Sequence, residues 1–299
     1  MTITELFDIW INYKKIEVKK PTISTYVRKF DAYIMPTLGH LNLEELTISN
    51  ISSFIYELMN TLSSKSVIDI KTILQSTLAF AYKQNFIDRK IEIPAPPHIR
   101  KNIETFSNTE QSRLIGYIQS NMNSRYFLVL LGLGTGMRIG ELCALKYKDI
   151  KKICNVRYTV QRIKNLETDS PKTMLYVGSP KSRLSLRPVP LNTYILDSFR
   201  GVFDTKLDNC YILTGTMEYS EPRLLEKLYS KLLCDCHIEY KKFHTLRHTF
   251  ATNALIAGMD IKTLAEIMGI TVKVLISTYI HTNIEQKIES MEKLKMEMA

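Results

Sequence analysis

A chain of 299 residues with 40 Lys+Arg against 30 Asp+Glu, a formal net charge of +10, is long enough for two domains and is charged for a polyanionic partner. Its five cysteines (Cys143, Cys154, Cys210, Cys234, Cys236) are odd in number and scattered, which excludes a disulfide-stapled scaffold and predicts reduced thiols. No apolar run reaches the roughly 18 residues of a membrane span, and MTITELFDIW lacks the blocks of a signal peptide, so no membrane partner and a cytoplasmic location are expected.

In chain order, Thr4 to Tyr13 is amphipathic, and Pro21 opens a second helical segment, TISTYVRKFDAYIM, that Pro36 ends. Thr47 to Asn60 and Ser64 to Gln84 follow, each opened by a capping candidate, and complete a four-helix unit. The stretch IEIPAPPHIRKN (91–102) packs three prolines into four positions, so a linker over 91–105 is predicted between a domain of residues 1–90 and one of residues 106–299. Beyond it, Asn108 to Asn121 and Arg125 to Gly132 read as helices, and GLGTGMRIGELCALKY breaks at its glycines and restarts at Ile139.

Strand patterns come next at 156–164, 173–178 and 184–191, the last two flanking SPKSR as an expected hairpin. Apart from the strand-like CYIL (210–213), the remainder is helical: Thr193 to Phe203, Pro222 to Cys236, Thr245 to Ala257, Ile261 to Ile267 and Thr271 to Tyr279, then an amphipathic tail. The fold class is therefore mainly α with a small antiparallel β-sheet (α+β).

The charge is concentrated. Residues 138–200 hold 13 Lys/Arg against 5 Asp/Glu, and their arginines interleave with strand-forming residues, a pattern suited to phosphate contacts. Cys234-Asp-Cys236-His237 has no second ligand pair at zinc spacing and reads as packing, not as a metal site.

Within and beyond this segment lie the candidate chemical groups. Arg138 sits in TGMRIGEL, with Glu141 one turn on to orient its guanidinium. Lys181 stands at the turn of the expected hairpin, and His244 and Arg247 in FHTLRHTFAT are spaced to point from one helix start at one anion. Taken singly, each has an ordinary structural reading as a salt-bridge partner, a half-buried histidine or a solvated lysine. Tyr279, in EIMGITVKVLISTYIHT, is one of 16 tyrosines and reads alone as a packing anchor. His248, about 100° around the helix from Arg247, is expected to be structural.

In combination and in order, TISTYVRKFDAYIMPTLGHLNLEELT, TGMRIGELCALKYKDI, SPKSRLSLRPVPL, HTLRHTFATNALIAGMDIKTLAEIMG and STYIH resemble the tyrosine recombinases, the phage integrase family, and its Xer-like members in length and layout. The resemblance implies a helical core-binding (SAM-like) domain followed by a tyrosine recombinase catalytic domain with a C-terminal docking helix from about residue 283. It also implies roles. Arg138 and Arg247 clamp the phosphate, Lys181 protonates the leaving 5′ oxygen, His244 is a general acid/base, and Tyr279 attacks to leave a 3′-phosphotyrosyl link and a free 5′ hydroxyl. Glu141 supports Arg138.

No cofactor, metal or ATP is called for, and neither a Walker loop nor an Asp/Glu cluster suggests another strand-cutting chemistry. The expected partner is double-stranded DNA with inverted-repeat half-sites, bound by a homotetramer across two sites or together with a heteromeric recombinase partner. Ile270 departs from the family pattern, which has a histidine or tryptophan there. The loss of one donor to the phosphate is expected to cost about 3 kcal/mol, roughly a hundredfold in rate. That substitution is what supports an alternative, a catalytically weak DNA-binding relative; a relaxing topoisomerase is disfavoured by the N-terminal resemblance.

Overall fold

A computed structural model of the chain describes residues 1–94, 103–167, 171–180, 183–203 and 207–279. The chain forms two compact units, one of Met1–Lys101 with Arg162–Tyr176 and the other of Asn102–Gln161 with Val177–Ala299. Most of the linker expected at 91–105 lies outside the described residues.

In the first unit, α1 (Ile3–Glu17) starts at a capping box in which Thr2 and Glu5 satisfy each other's backbone N–H groups. Pro21 falls in the first turn of α2 (Lys20–Lys29), where a missing N–H costs nothing. The helix does not end at Pro36 as the sequence suggests. It passes through one π-helical turn, Phe30–Ile34, in which Met35 N–H donates to Phe30 O, into the short α3 (Met35–Leu38), so Pro36 again falls in the first turn of a helix. Helices α4 (Ile48–Thr61) and α5 (Ser64–Lys83) are capped by Thr47 and Ser63.

The apolar faces of these helices meet around Trp10, Phe54, Ile70 and Leu74, all essentially buried, with Phe7 and Phe30 stacked at 3.6 Å between ring centres. The strip 162–176 joins this unit through Lys164, whose backbone N–H donates to Ser24 Oγ at 2.6 Å and whose ammonium pairs with Asp31.

The second unit is built on α7 (Ser124–Thr135), whose residues Phe127 to Leu133 are all buried. Against it pack α6 (Asn108–Ser120), α8 (Ile139–Cys143), α9 (Thr193–Arg200), α10 (Pro222–Asp235) and α11 (His244–Ile256), and α12 (Ile261–Met268) and α13 (Val272–Tyr279) form a smaller cluster on α11. A helix buried on nearly all sides needs apolar residues all round, which FLVLLGL provides.

The strands pair differently from the sequence expectation. β1 (Ile153–Val156) pairs antiparallel with β4 (Arg187–Pro190), and β2 (Thr159–Lys164) pairs with β3 (Thr173–Gly178), so 173–178 and 184–191 are not a hairpin. The single strand expected at 156–164 is in fact two. Just beyond the paired ends of β2 and β3, Asn165 N–H donates to Lys172 O at 3.0 Å.

In β4 the side chains alternate. Arg187 and Val189 face inward opposite Val156 and Cys154, while Pro188 and Pro190 face outward and offer no N–H. CYIL contributes one bridge, Lys146 with Tyr211, and no strand, among the described residues. Trp10→Ala removes the largest buried side chain of the first unit, and urea unfolding should show a loss of about 3–5 kcal/mol.

Candidate active site

Helix α7 ends at Gly136, whose left-handed backbone (φ +64) turns the chain into Arg138; a Cβ there would lie 2.6 Å from Phe250. Arg138 is then the N-cap of α8. Its backbone N–H and its Nη1 donate to the two oxygens of Glu141 at 2.9 and 2.8 Å, and its Nη2 donates to Gly269 O at 3.2 Å. About a third of its side chain remains exposed, which leaves an edge of the fork open.

Glu141 is buried and holds a second guanidinium. Arg187, on the inward face of β4, donates from Nη1 and Nη2 to the two carboxylate oxygens at 3.1 and 2.9 Å, and its Nε donates to Ile267 O at 2.5 Å. Burial alone would raise the Glu141 carboxyl, but the Arg187 hydrogen bonds, with the charges of Arg187 and Arg138, hold it below the ordinary carboxylate range. Arg187 and Ser185, which accepts from Arg138 Nη1 at 3.4 Å, fall outside the residues that the sequence singles out. The available signal was phase: Arg187 stands in register with the buried Val189 and Leu191, and a charge at an inward strand position needs a buried partner.

Arg247, in the first turn of α11, is only 3% exposed. Its Nη1 donates to Gly136 O at 2.5 Å and its Nη2 to Met268 O at 2.7 Å, so two of its five N–H groups fix the fork. Burial first, then the nearby Arg138 charge, pushes Arg247 down to about 9, which leaves it cationic at neutral pH. Burial of its inner face, then the charges of His248, Arg247 and Arg138, likewise lowers His244, so that its imidazole is neutral at pH 7.

Tyr279, at the last turn of α13, is half-buried beside these groups. Burial holds its hydroxyl above the ordinary phenol range, and the charges of Arg247 and then Arg138 draw it back only in part. His248 is not remote from it: its Nδ1 lies 2.8 Å from Tyr279 Oη, and its ring stands edge-on to that of His244 at 4.7 Å. The expectation of a remote structural residue measured His248 against Arg247, whereas His248 is one turn from His244 and shares its helical face.

Ile270 follows Gly269, the left-handed C-cap of α12, and its N–H donates to Ala265 O in a Schellman closure. That position favours an apolar side chain, and Ile270 and Tyr279 each pack against a small cluster that includes Ala251, Leu264, Met268 and Leu275. The structure thus brings together Arg138, Glu141, His244, Arg247, Tyr279 and Ile270. Lys181 and the tail from residue 283 lie outside the described residues.

Residues 104–286 match the phage integrase family, and residues 2–59 match the phage integrase N-terminal SAM-like domain. The chain is similar, at 27% identity over 98% of its length, to a tyrosine recombinase XerC-like protein of Caldanaerobacter subterraneus subsp. tengcongensis, of which it covers 83%. It also resembles the Tn1549 transposon integrase solved with transposon right end DNA (TM-score 0.80, 20% identity, 99% of this chain and 100% of that one). A lambda integrase tetramer bound to a Holliday junction is similar as well (TM-score 0.62, 18% identity, 95% and 80% covered). At these identities the structural likeness speaks for the fold.

Arg187→Met strips the buried Glu141 of two hydrogen bonds, and removing one member of such a pair costs about 3–5 kcal/mol. Urea unfolding should register that loss, and it should exceed the effect of Arg200→Met, whose ion pair with Asp197 is exposed.

Proposed function

On the premise that this chain belongs to the phage integrase family and is a tyrosine-type site-specific DNA recombinase, we propose that Tyr279 is its nucleophile and that Arg138 and Arg247 are its phosphate clamps. The observation that carries this reading is the juxtaposition of the Tyr279 hydroxyl with two guanidiniums whose charges act on it. A phenol with a pKa near 10 attacks poorly at neutral pH, so its reaction depends on neighbours that favour the phenolate and on cations that stabilise a phosphorane carrying extra negative charge.

Arg138 and Arg247, each fastened by backbone carbonyls, are cations that need not reorganise as that charge develops. Attack forms the Tyr279 Oη–P bond and breaks the P–O5′ bond. His244 and Lys181 are the candidates for protonating the departing oxygen. Because the phosphoester survives in the 3′-phosphotyrosyl link, a second 5′ hydroxyl can reverse the step and complete strand exchange. Glu141, with Arg187 behind it, keeps Arg138 in place.

The weak DNA-binding alternative raised by Ile270 is not favoured by the family membership. The DNA partner carries inverted-repeat half-sites in this reading, and the lambda integrase tetramer on a Holliday junction supports a homotetramer across two sites, with the segment from residue 283 as its docking helix. A heteromeric recombinase partner is compatible with the same arrangement. The excess of basic residues between 138 and 200 makes affinity fall steeply with added salt.

With a nicked suicide substrate built on sites mapped through trapped protein–DNA links, wild type should accumulate a covalent product and Tyr279→Phe none, with DNA binding kept. Arg247→Ala should lower the rate at least about a hundredfold. Covalent product in Tyr279→Phe would sink the nucleophile assignment. Ile270→His restores a ring N–H at the C-terminal side of α12 and should raise cleavage, by up to about a hundredfold; an unchanged rate would mean that this position does not reach the phosphate.

A further inference from the structure

We propose that His248 is the proton acceptor that activates Tyr279, an inference that rests on Tyr279 being the nucleophile. Its Nδ1 is 2.8 Å from Tyr279 Oη, within the reach that proton transfer requires. The rings lie 5.5 Å apart at 54°, so the contact runs through the nitrogen and hydroxyl and is not a stack. Helix α11 supplies the groups that face His248 on its own side, His244 at 4.7 Å between ring centres and the charged Arg247, and α13 supplies Tyr279. Burial and then the Arg247 charge lower His248, so the imidazole is neutral at pH 7. With its proton on Nε2, the Nδ1 lone pair is directed at the phenol.

In the forward step the Tyr279 proton passes to His248 Nδ1 as Oη forms its bond to phosphorus, the P–O5′ bond breaks, and the 5′ oxygen takes a proton from a separate acid. His248 becomes imidazolium. Beside Arg247 that cation is costly in the free protein, and the phosphate charge brought by bound DNA offsets the cost. In religation the 5′ hydroxyl gives its proton back to the conjugate base of that acid as it attacks phosphorus, the P–Oη bond breaks, and His248 returns its proton to Tyr279 Oη. One histidine therefore serves both directions without a net change in protonation.

The decisive variant is His248→Asn, whose amide reaches the same hydroxyl but cannot hold a proton at neutral pH. Covalent-complex formation on the nicked substrate should slow at least about a hundredfold while DNA binding is unchanged. The wild-type rate should level off above the pKa of His248, whereas the variant should keep rising with pH. A substrate with sulfur in place of the bridging 5′ oxygen leaves without protonation; it should not rescue His248→Asn.

Rates within threefold of wild type, or rescue by sulfur, would overturn the proposal. So would nitrogen-15 spectra of the free protein showing Nδ1 protonated at pH 7.5. No covalent product from wild type itself would overturn the nucleophile reading together with this one, whereas equal product from wild type and His248→Asn would overturn this one alone.

Discussion

Three consecutive carbonyls at the C-terminal end of α12, those of Ile267, Met268 and Gly269, each accept a hydrogen bond from a different arginine: Arg187, Arg247 and Arg138. The last carbonyls of any helix lack partners within it and carry the negative end of its dipole. Here they gather guanidiniums from β4, α11 and the N-cap of α8, so that one helix end sets the relative positions of elements far apart in sequence. The left-handed Gly269 is part of the device, because a Cβ there would lie 2.9 Å from Arg187 Cδ.

The same convergence sets the electrostatics. Arg138 and Arg187 pair with the carboxylate of Glu141, whose charge also acts on Arg247, and His244 and His248 are held neutral. The site therefore carries an excess of positive charge in partly buried surroundings, a state that is unfavourable alone and is relieved by a bound phosphodiester. Arg187 is spent internally on Glu141 and Ile267, whereas Arg138 keeps an exposed edge and Arg247 keeps N–H groups beyond its two carbonyl bonds. Arg138 keeps an accessible edge and Arg247 stays buried beside it, while Arg187 is committed inward.

Local signals made most helices legible: Thr47 caps α4 where a cap is expected, Ser63 caps α5 one residue before its expected start, and the apolar spacing of α4 and α10 matches their buried faces. Strand pairing was not legible, because whether 173–178 meets 184–191 or 159–164 depends on partners brought by the rest of the unit. Motif order assembled Arg138, Glu141, His244, Arg247 and Tyr279 as one group, and their proximity in the fold agrees with that grouping. Arg187 and His248 stayed hidden for different reasons. The partner of the first is 46 residues away, and the second is recognised only when α13 returns to α11.

The outward prolines of β4 bear on a different problem, that of chains meeting before DNA does. Pro188 and Pro190 deprive the strand of two amide donors. A short ladder with an open edge invites a strand from another copy to add to it, and such an addition would pull on the backbone that carries Arg187. With those donors missing, β4 is a poor template for sideways growth. The strand that steadies the arginine cluster is thereby shielded from misassociation among crowded, newly made copies.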